Sequence, residues 1–235
     1  MRVAVLSDIH ANHAALSATI TDAERAGIDE YLVLGDIVDL GPDPAAVVER
    51  VRGLGCTVVR GNHDSLEERS PAAAVEAMRQ WTATMLSDDQ REWLKNLPDQ
   101  SELTLGGCRL LAVHASPGSL TQPILSSSPD AELAARLAGR RCDVLCCGHT
   151  HLQLLRRIGA VTIVNVGSVG MPFKAPFDGN PPSLFPWAEY AILDLAGTHL
   201  SVDLRRVPYD FSVFKRAFRA SGFTQSEELL AAWVE

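Results

Sequence analysis

Positive charge is scarce in this chain: Lys and Arg number 21 against 29 Asp and Glu, a net charge of −8. A general electrostatic grip on a nucleic-acid backbone is therefore not expected, and any phosphate chemistry needs a local source of positive charge. No apolar run approaches the roughly 18 residues of a membrane span, so no membrane partner is expected. The opening run Met1-Arg2-Val3-Ala4-Val5-Leu6-Ser7 is too short for the apolar part of a signal peptide, and Asp8 ends it. The five cysteines are odd in number and sit mostly in apolar runs, which argues against a disulfide framework and makes a reducing cytoplasm the default location. What is present is core material: 46% of the residues are hydrophobic and 21% charged, which excludes a disordered chain. At roughly 150 residues per domain, a chain of 235 residues reads as one large domain over 1–235.

The first half alternates short apolar runs with helical patterns. Val3–Leu6, Tyr31–Leu34 and Thr57–Arg60 read as strands, separated by helices over His13–Arg25 and Ala45–Arg52. Leu16, Ile20 and Ala23 share a face of the first helix, and Gly27 and Gly53 follow the two helices as stops. That β-α-β-α-β order predicts a parallel sheet with helices packed on it. Ala72–Leu86 and Asp88–Leu94 read as helices, and Ser87 with Gln90 forms a capping-box signature for the second. Beyond Glu102 the pattern predicts antiparallel pairing. Leu103–Leu105 and Arg109–Val113 flank Gly106-Gly107, and Ala191–Leu195 and Leu200–Val207 flank Gly197. Between the two hairpins lie a helix near Ala131–Leu137 and strands at Val144–Cys147, Gln153–Arg157 and Val161–Val166. A C-terminal helical segment over 210–235 contains helices near Ser212–Ala220 and Glu227–Trp233, with Thr224 and Glu227 fitting a second capping box. The class is α/β (α+β), best fitted by a two-sheet β-sandwich flanked by helices. One irregular stretch, 170–187, holds five Pro and three Phe. A loop of that length is more often functional than accidental.

The informative residues sit just past the strands. Asp8-Ile9-His10-Ala11-Asn12 follows the first, Gly35-Asp36-Ile37-Val38-Asp39 the second and Gly61-Asn62-His63-Asp64 the third; His114 and Gly148-His149-Thr150-His151 follow later ones. Loops from separate strands converge at the carboxyl ends of α/β sheets, where ligands bind. Each piece alone has a plain structural explanation, as a turn, a helix cap or a surface histidine. Together, five of the seven His lie at such positions, which turn chemistry rarely produces. Imidazole with carboxylate suits Mn, Fe, Co, Ni or Zn, and seven candidate ligands fit two ions sharing a carboxylate better than one tetrahedral ion. Such a pair supplies the positive charge that the chain lacks.

The order Asp-x-His, Gly-Asp-x-x-Asp, Gly-Asn-His-Asp, His, Gly-His-x-His resembles the calcineurin-like metallophosphoesterases, and it extends from Asp8 to Ser168. Ser7-Asp8-Ile9-His10-Ala11-Asn12 and Asn165-Val166-Gly167-Ser168-Val169-Gly170 are similar to the small bacterial and archaeal phosphodiesterase branch. The resemblance implies a double β-sheet flanked by helices. It implies one divalent ion on Asp8, His10, Asp36 and His151, a second on Asp36, Asn62, His114 and His149, and Asp36 as the bridge. It also implies that His63 orients the phosphate and protonates the leaving oxygen, with Asp39 as its hydrogen-bond partner. Asn12 and Arg60 are weaker substrate-side candidates, beside structural readings as the start of a helix and a surface charge. The implied reaction is hydrolysis of a phosphate ester, preferably a diester, by in-line attack of a metal-bound hydroxide.

The chain departs from the branch pattern in two places. Val166 stands where Pro is frequent, and Gly170-Met171-Pro172-Phe173 replaces Gly-Gln-Pro-Arg. Both bear on substrate choice and not on the metal ligands. Leu40 stands where the protein phosphatases have Arg, which disfavours that branch. A phosphomonoesterase or protein phosphatase is the chemical alternative, and a non-catalytic scaffold is the alternative from another class; the complete ligand set disfavours the scaffold. A homo-oligomer is compatible with the sequence. Cys146 and Cys147 read as small buried residues of a strand and not as zinc ligands. Trp81, Trp93 and Phe214 fall in helical patterns and read as core.

Overall fold

The computed structural model describes residues 1–66, 73–197 and 199–233. In chain order the elements are β1 (Arg2–Leu6), α1 (His13–Arg25), β2 (Glu30–Val33), α2 (Pro44–Arg52), β3 (Thr57–Val58), α3 (Ala73–Met85), α4 (Asp88–Lys95), β4 (Gln100–Leu105), β5 (Cys108–Val113) and α5 (Asp130–Leu137). β6 (Val144–Cys147), β7 (Gln153–Ile158), β8 (Val161–Val166), β9 (Trp187–Ala196), β10 (His199–Pro208), α6 (Phe211–Ala220) and α7 (Ser226–Trp233) follow.

The strands form two mixed sheets, ordered β10-β9-β1-β2-β3 and β4-β5-β6-β8-β7. β1, β2 and β3 pair in parallel, as the helical crossovers between them require. The strands β5, β6 and β8 are parallel too, while the β4–β5, β7–β8 and β9–β10 pairs are antiparallel. All these parallel strands point to one end of the sandwich.

Side-chain alternation builds the layers. Val3 and Val5 of β1 face the interior between the sheets, with Leu110, Val144, Val164 and Leu193. Ala4 and Leu6 face the opposite way, under Leu16, Ile20 and Ala23 of α1 and Val47 and Val51 of α2. The second sheet buries its outer face under Leu133 and Leu137 of α5. Phe214 and Phe218 of α6, Leu229 and Leu230 of α7 and Met78 of α3 form a further cluster with Met171 and Leu184 of the Pro-rich loop. Trp81, Trp93 and Phe214 all belong to these clusters, as their helical spacing predicts.

Differences from the sequence reading have local causes. β3 is shorter than predicted: after Val59 donates to Val33 O, the chain leaves β2 and Arg60 donates to Pro98 O. The Ser87–Gln90 capping box forms with both of its reciprocal bonds. The second box does not form. α7 starts at Ser226, so Glu227 falls at the second helical position and Thr224 lies before the cap. Ala72, the predicted start of α3, lies outside the described residues, as do residues 234–235 of the C-terminal segment. All five cysteines are free. Cys146 and Cys147 are buried in β6, and burial pushes the Cys146 thiol up to about 12, which favours the neutral thiol over a ligating thiolate. Among the described residues, no helix is long and apolar enough to cross a membrane.

Candidate metal centre

The loops past β1, β2, β3, β5 and β6 meet at one end of the sandwich and are zipped together by backbone bonds. Asp8 N donates to Gly35 O, His10 N to Asp36 O and Ala11 N to Ile37 O. Gly148 N donates to His114 O, and Val169 N and Gly170 N donate to Ser7 O and Asp8 O. Such close approach leaves no room for a Cβ. One added at Gly61 would lie 2.1 Å from Asp36 Oδ1, and one at Gly148 would lie 2.4 Å from Asp8 Oδ2.

Two sets of donor atoms result. Asp8, His10, Asp36 and His151 form one, and Asp36, His114 and His149 the other; within each, one donor atom per residue lies within 4.8 Å of all the rest. Asp36 belongs to both. Its Oδ2 lies 3.7 Å from His10 Nε2 on one side and 3.3 Å from His114 Nε2 on the other. Asn62 Oδ1 accepts from His114 Nε2 at 3.0 Å and so stands beside the second set.

Burial makes this assembly costly as it stands. Asp8, His10 and His114 are fully buried, and Asp36 and His151 nearly so. Asp8 Oδ1 is buried without a hydrogen bond, although His151 Nε2 lies 3.3 Å away. His10 Nε2 and His151 Nε2 face each other at 3.1 Å. An unpaired buried carboxylate oxygen beside two imidazole nitrogens that face each other fits a cation, because ordinary cores pair or exclude such groups. The rings are also aimed. His151 Nδ1 bonds Met171 O at 2.7 Å and His114 Nδ1 bonds Leu34 O at 2.8 Å, which reserves Nε2 of each for the cluster. His149 bonds Thr121 O through Nε2 at 3.0 Å, which reserves Nδ1.

The charges respond to one another. Burial alone would raise the Asp8 carboxyl, but the neighbouring His151 outweighs it and holds Asp8 at about 2. Asp36 is likewise held well below the usual carboxylate range against its burial, by His114, His63 and His10. Burial pushes His10 down to about 3, and burial with the nearby His114 pushes His149 down to about 4. His114 is raised to about 10, since Asp36 and Asp8 outweigh its burial.

His63 stands at the edge of the cluster, its ring 5.2 Å from that of His10. Its Nδ1 lies 2.8 Å from Oδ2 of the buried Asp39. Burial opposes its protonation, but Asp36 and Asp39 raise it to about 9. Nε2 has no hydrogen-bond partner among the described residues.

The two weaker candidates have structural partners. Asn12 is fully buried at the start of α1: Oδ1 caps Ala15 N, and Nδ2 donates to Gly170 O and Tyr209 OH. Arg60 forms an ion pair with Asp99 at 2.5 Å and donates to Lys95 O. These are the helix-start and surface-charge readings; neither side chain lies in the donor sets.

Other residues that shape the site escaped the sequence reading. Asp64, nearly fully buried, accepts from Ile37 N, Val38 N and Gly61 N, locking the Gly-Asp-x-x-Asp loop to the Gly-Asn-His-Asp loop. Burial and the nearby Asp36 push its carboxyl up to about 7. Ser168 donates to Asp8 O and accepts from Met171 N, while Asn165 donates to Gly148 O and Thr150 Oγ1. Asp64, Asn165 and Ser168 all lie within the quoted motifs, and that was the available signal.

Comparison with known proteins agrees with this geometry. The calcineurin-like phosphoesterase superfamily domain matches residues 1–194. An uncharacterized protein of Methanocaldococcus jannaschii is 27% identical over 223 residues, covering 88% of each chain. A symmetrical bis(5′-nucleosyl)-tetraphosphatase of Paracidovorax citrulli is 32% identical over 149 residues, which is 59% of this chain and 52% of that one. Among solved structures, a metallophosphoesterase from Sphaerobacter thermophilus superposes with a TM-score of 0.75 at 28% identity, covering 99% of each chain. With this sandwich, and with the Asp and His residues gathered at the carboxyl ends of its parallel strands, the chain belongs to the calcineurin-like phosphoesterase superfamily and is a phosphate-ester hydrolase.

Proposed function

We propose that this hydrolase is a phosphodiesterase working with two divalent ions. Asp8, His10, Asp36 and His151 would hold one ion, and Asp36, Asn62, His114 and His149 the other. The observation that carries this reading is the position of Asp36 Oδ2 between His10 and His114, where one carboxylate serves both donor sets. Bound divalent ions supply positive charge to the phosphoryl oxygens and acidify water. Mn, Fe, Co, Ni and Zn all suit this mixture of imidazole and carboxylate.

The chain's own residues supply the rest. The Asp39 carboxylate fixes the Nδ1–H tautomer of His63, and Nε2 of His63 delivers a proton to the departing oxygen. Asp64, Asn165 and Ser168 hold the ligand loops in register, so the donor atoms are positioned before substrate arrives. The likeness to a bis-nucleosyl tetraphosphatase over part of the chain supports a substrate that carries a nucleotide.

The test is metal analysis together with hydrolysis of a chromogenic diester and its monoester after Mn²⁺ loading. Wild type is expected to hold about two ions per chain and to cleave the diester faster. Asp36→Asn is expected to fall well below that occupancy, because it withdraws a ligand from both sites. Wild type that stays metal-free after loading overturns the reading.

A further inference from the structure

The segment between Gly170 and β9 folds into a flap with a pinned base and a projecting tip. At the base, Phe173 and Leu184 form an antiparallel bridge, Lys174 N donates to Ser183 O and Phe185 N donates to Pro172 O. Met171 and Leu184 are buried against the α6–α7 cluster. The returning strand is held from behind by Phe185 stacked on Trp187 at 4.2 Å, with the Arg206 guanidinium over the other ring. The tip is framed by Pro176, Pro181 and Pro182 and shaped by a turn in which Asp178 accepts from Asn180 N. These restraints limit the conformations open to the flap.

The pinned flap carries a row of aromatic rings outward from the metal centre. Phe173 packs on His151, one of the candidate ligands, with ring centroids 4.2 Å apart. Phe177 follows at 6.4 Å from Phe173, tilted by 38°. His151 is 5% exposed, whereas Phe177 is 64% exposed, and Phe173 lies between them in burial. The row therefore begins at the ligand shell and ends in solvent. A large apolar ring held out by a restrained tip buries little of itself in its own chain, yet it is pre-positioned as a surface on which a flat group can stack.

Resting on the phosphodiesterase reading above, we propose that Phe173 and Phe177 form the platform for the aromatic group that stays on the phosphate, a nucleobase in a nucleotide substrate, while the phosphate lies at the Asp and His cluster. The two rings then select esters by stacking and not by hydrogen bonding, so different bases are accepted with similar efficiency. They take no part in bond breaking and act on substrate choice.

The experiment compares two esters with the same leaving group, thymidine 5′-(p-nitrophenyl) phosphate and methyl p-nitrophenyl phosphate, on the Mn²⁺-loaded full chain. Wild type is expected to prefer the thymidine ester. Phe177→Ala is expected to lower kcat/KM for the thymidine ester by about 5- to 150-fold, as loss of one base–aromatic stack implies. It should leave the methyl ester, the metal content and the oligomeric state unchanged, and Phe177→Tyr should restore the preference. If wild type cleaves the methyl ester with no preference for thymidine, or if Phe177→Ala slows both esters alike, the platform is overturned while the phosphodiesterase reading stands. If wild type cleaves neither ester, that reading fails. Calorimetry with AMP against ribose 5-phosphate then decides the platform by itself: tighter AMP binding that Phe177→Ala abolishes supports it, and equal affinities overturn it.

Discussion

The two ends of the sandwich solve the same problem of reversing the chain in opposite ways. At the end where helices and hairpins feed the strands, the left-handed residues among those described are all glycine: Gly27, Gly55, Gly106, Gly107, Gly139, Gly159 and Gly197. At the other end, Asp8, His10, Ala11, Asp36, Asp39, Leu40, His149 and His151 adopt positive φ despite their Cβ atoms. Each costs about 1–2 kcal/mol relative to a right-handed residue. Turns that only connect thus use the cheapest residue, whereas six of the eight strained residues are Asp or His, which glycine cannot replace because it has no donor atom. The strain is held by the zipped loop backbones and by Asp64 and Ser168.

The largest effect expected at the strained end is kinetic. His63→Ala should retain metal and lose roughly 10²–10⁴-fold in turnover, the usual range for a general acid. The loss should shrink for esters whose leaving groups depart without a proton. Equal losses for good and poor leaving groups, measured across a series of phenyl esters, would remove the acid role and leave only phosphate orientation.

Steric tolerance should separate the ends next. A Cβ at Gly148 would lie 2.0 Å from Ser7 Oγ and 2.4 Å from Asp8 Oδ2, whereas one at Gly159 meets nothing within 4 Å. Gly148→Ala is expected to cost about 3 kcal/mol or more and to abolish metal retention. Gly159→Ala, left-handed but unobstructed, should cost about 1–2 kcal/mol and leave the metal in place. Denaturant unfolding and metal analysis of both variants test the contrast, and equal costs would refute it.

The strained end should also set the pH response of the metal-free protein. His10 and His149 are depressed, chiefly by burial, to about 3 and about 4, so the stability they give above an unfolded value of about 6.5 is lost as pH falls toward those values. For His63 and His114, Asp36 outweighs burial and raises them to about 9 and about 10, so what they contribute below about 6.5 is lost as pH rises through that range. Melting temperatures in chelator should therefore peak near neutral pH and fall on both sides. Mn²⁺ should stabilise more at pH 8 than at pH 6, because ligation needs unprotonated imidazole. A flat profile in chelator would mean that the buried cluster does not govern stability.

The strained end was also the more legible of the two in the sequence. Ligands must be specific polar residues, and the strands that carry them end abruptly, so Asp8, Asp36, His114 and His149 stand out against apolar runs. The residues that hold those loops were harder to identify, because they act on backbone groups far along the chain. Ser168 bonds Asp8 O and Asn165 bonds Gly148 O. No local pattern links such partners. Thr121 is a stronger case, since it fixes His149 through a carbonyl, a group that every residue has. The sheet order was legible where helical crossovers force parallel pairing and where glycine turns mark the β4–β5 and β9–β10 hairpins. The placement of β9 beside β1 came from packing.

The smallest effect gives the most direct measure of the strain. Ala11 is fully buried with φ 48°, and Ala23 is fully buried inside α1. Replacing either by Gly removes a buried methyl, worth about 0.8 kcal/mol, and adds backbone freedom worth about 0.5–1 kcal/mol. For Ala23→Gly these losses add to between 1 and 2 kcal/mol, about the cost of a glycine in a buried helix. For Ala11→Gly, release of about 1–2 kcal/mol of left-handed strain opposes them, so the net change should lie within about 0.8 kcal/mol of zero. Both variants keep every polar group of the site, so metal content should not differ between them. Paired denaturant titrations on metal-free protein resolve a gap of this size. If Ala11→Gly costs as much as Ala23→Gly, the left-handed loops at the metal centre store no strain, and the contrast between the two ends reduces to a difference in residue choice.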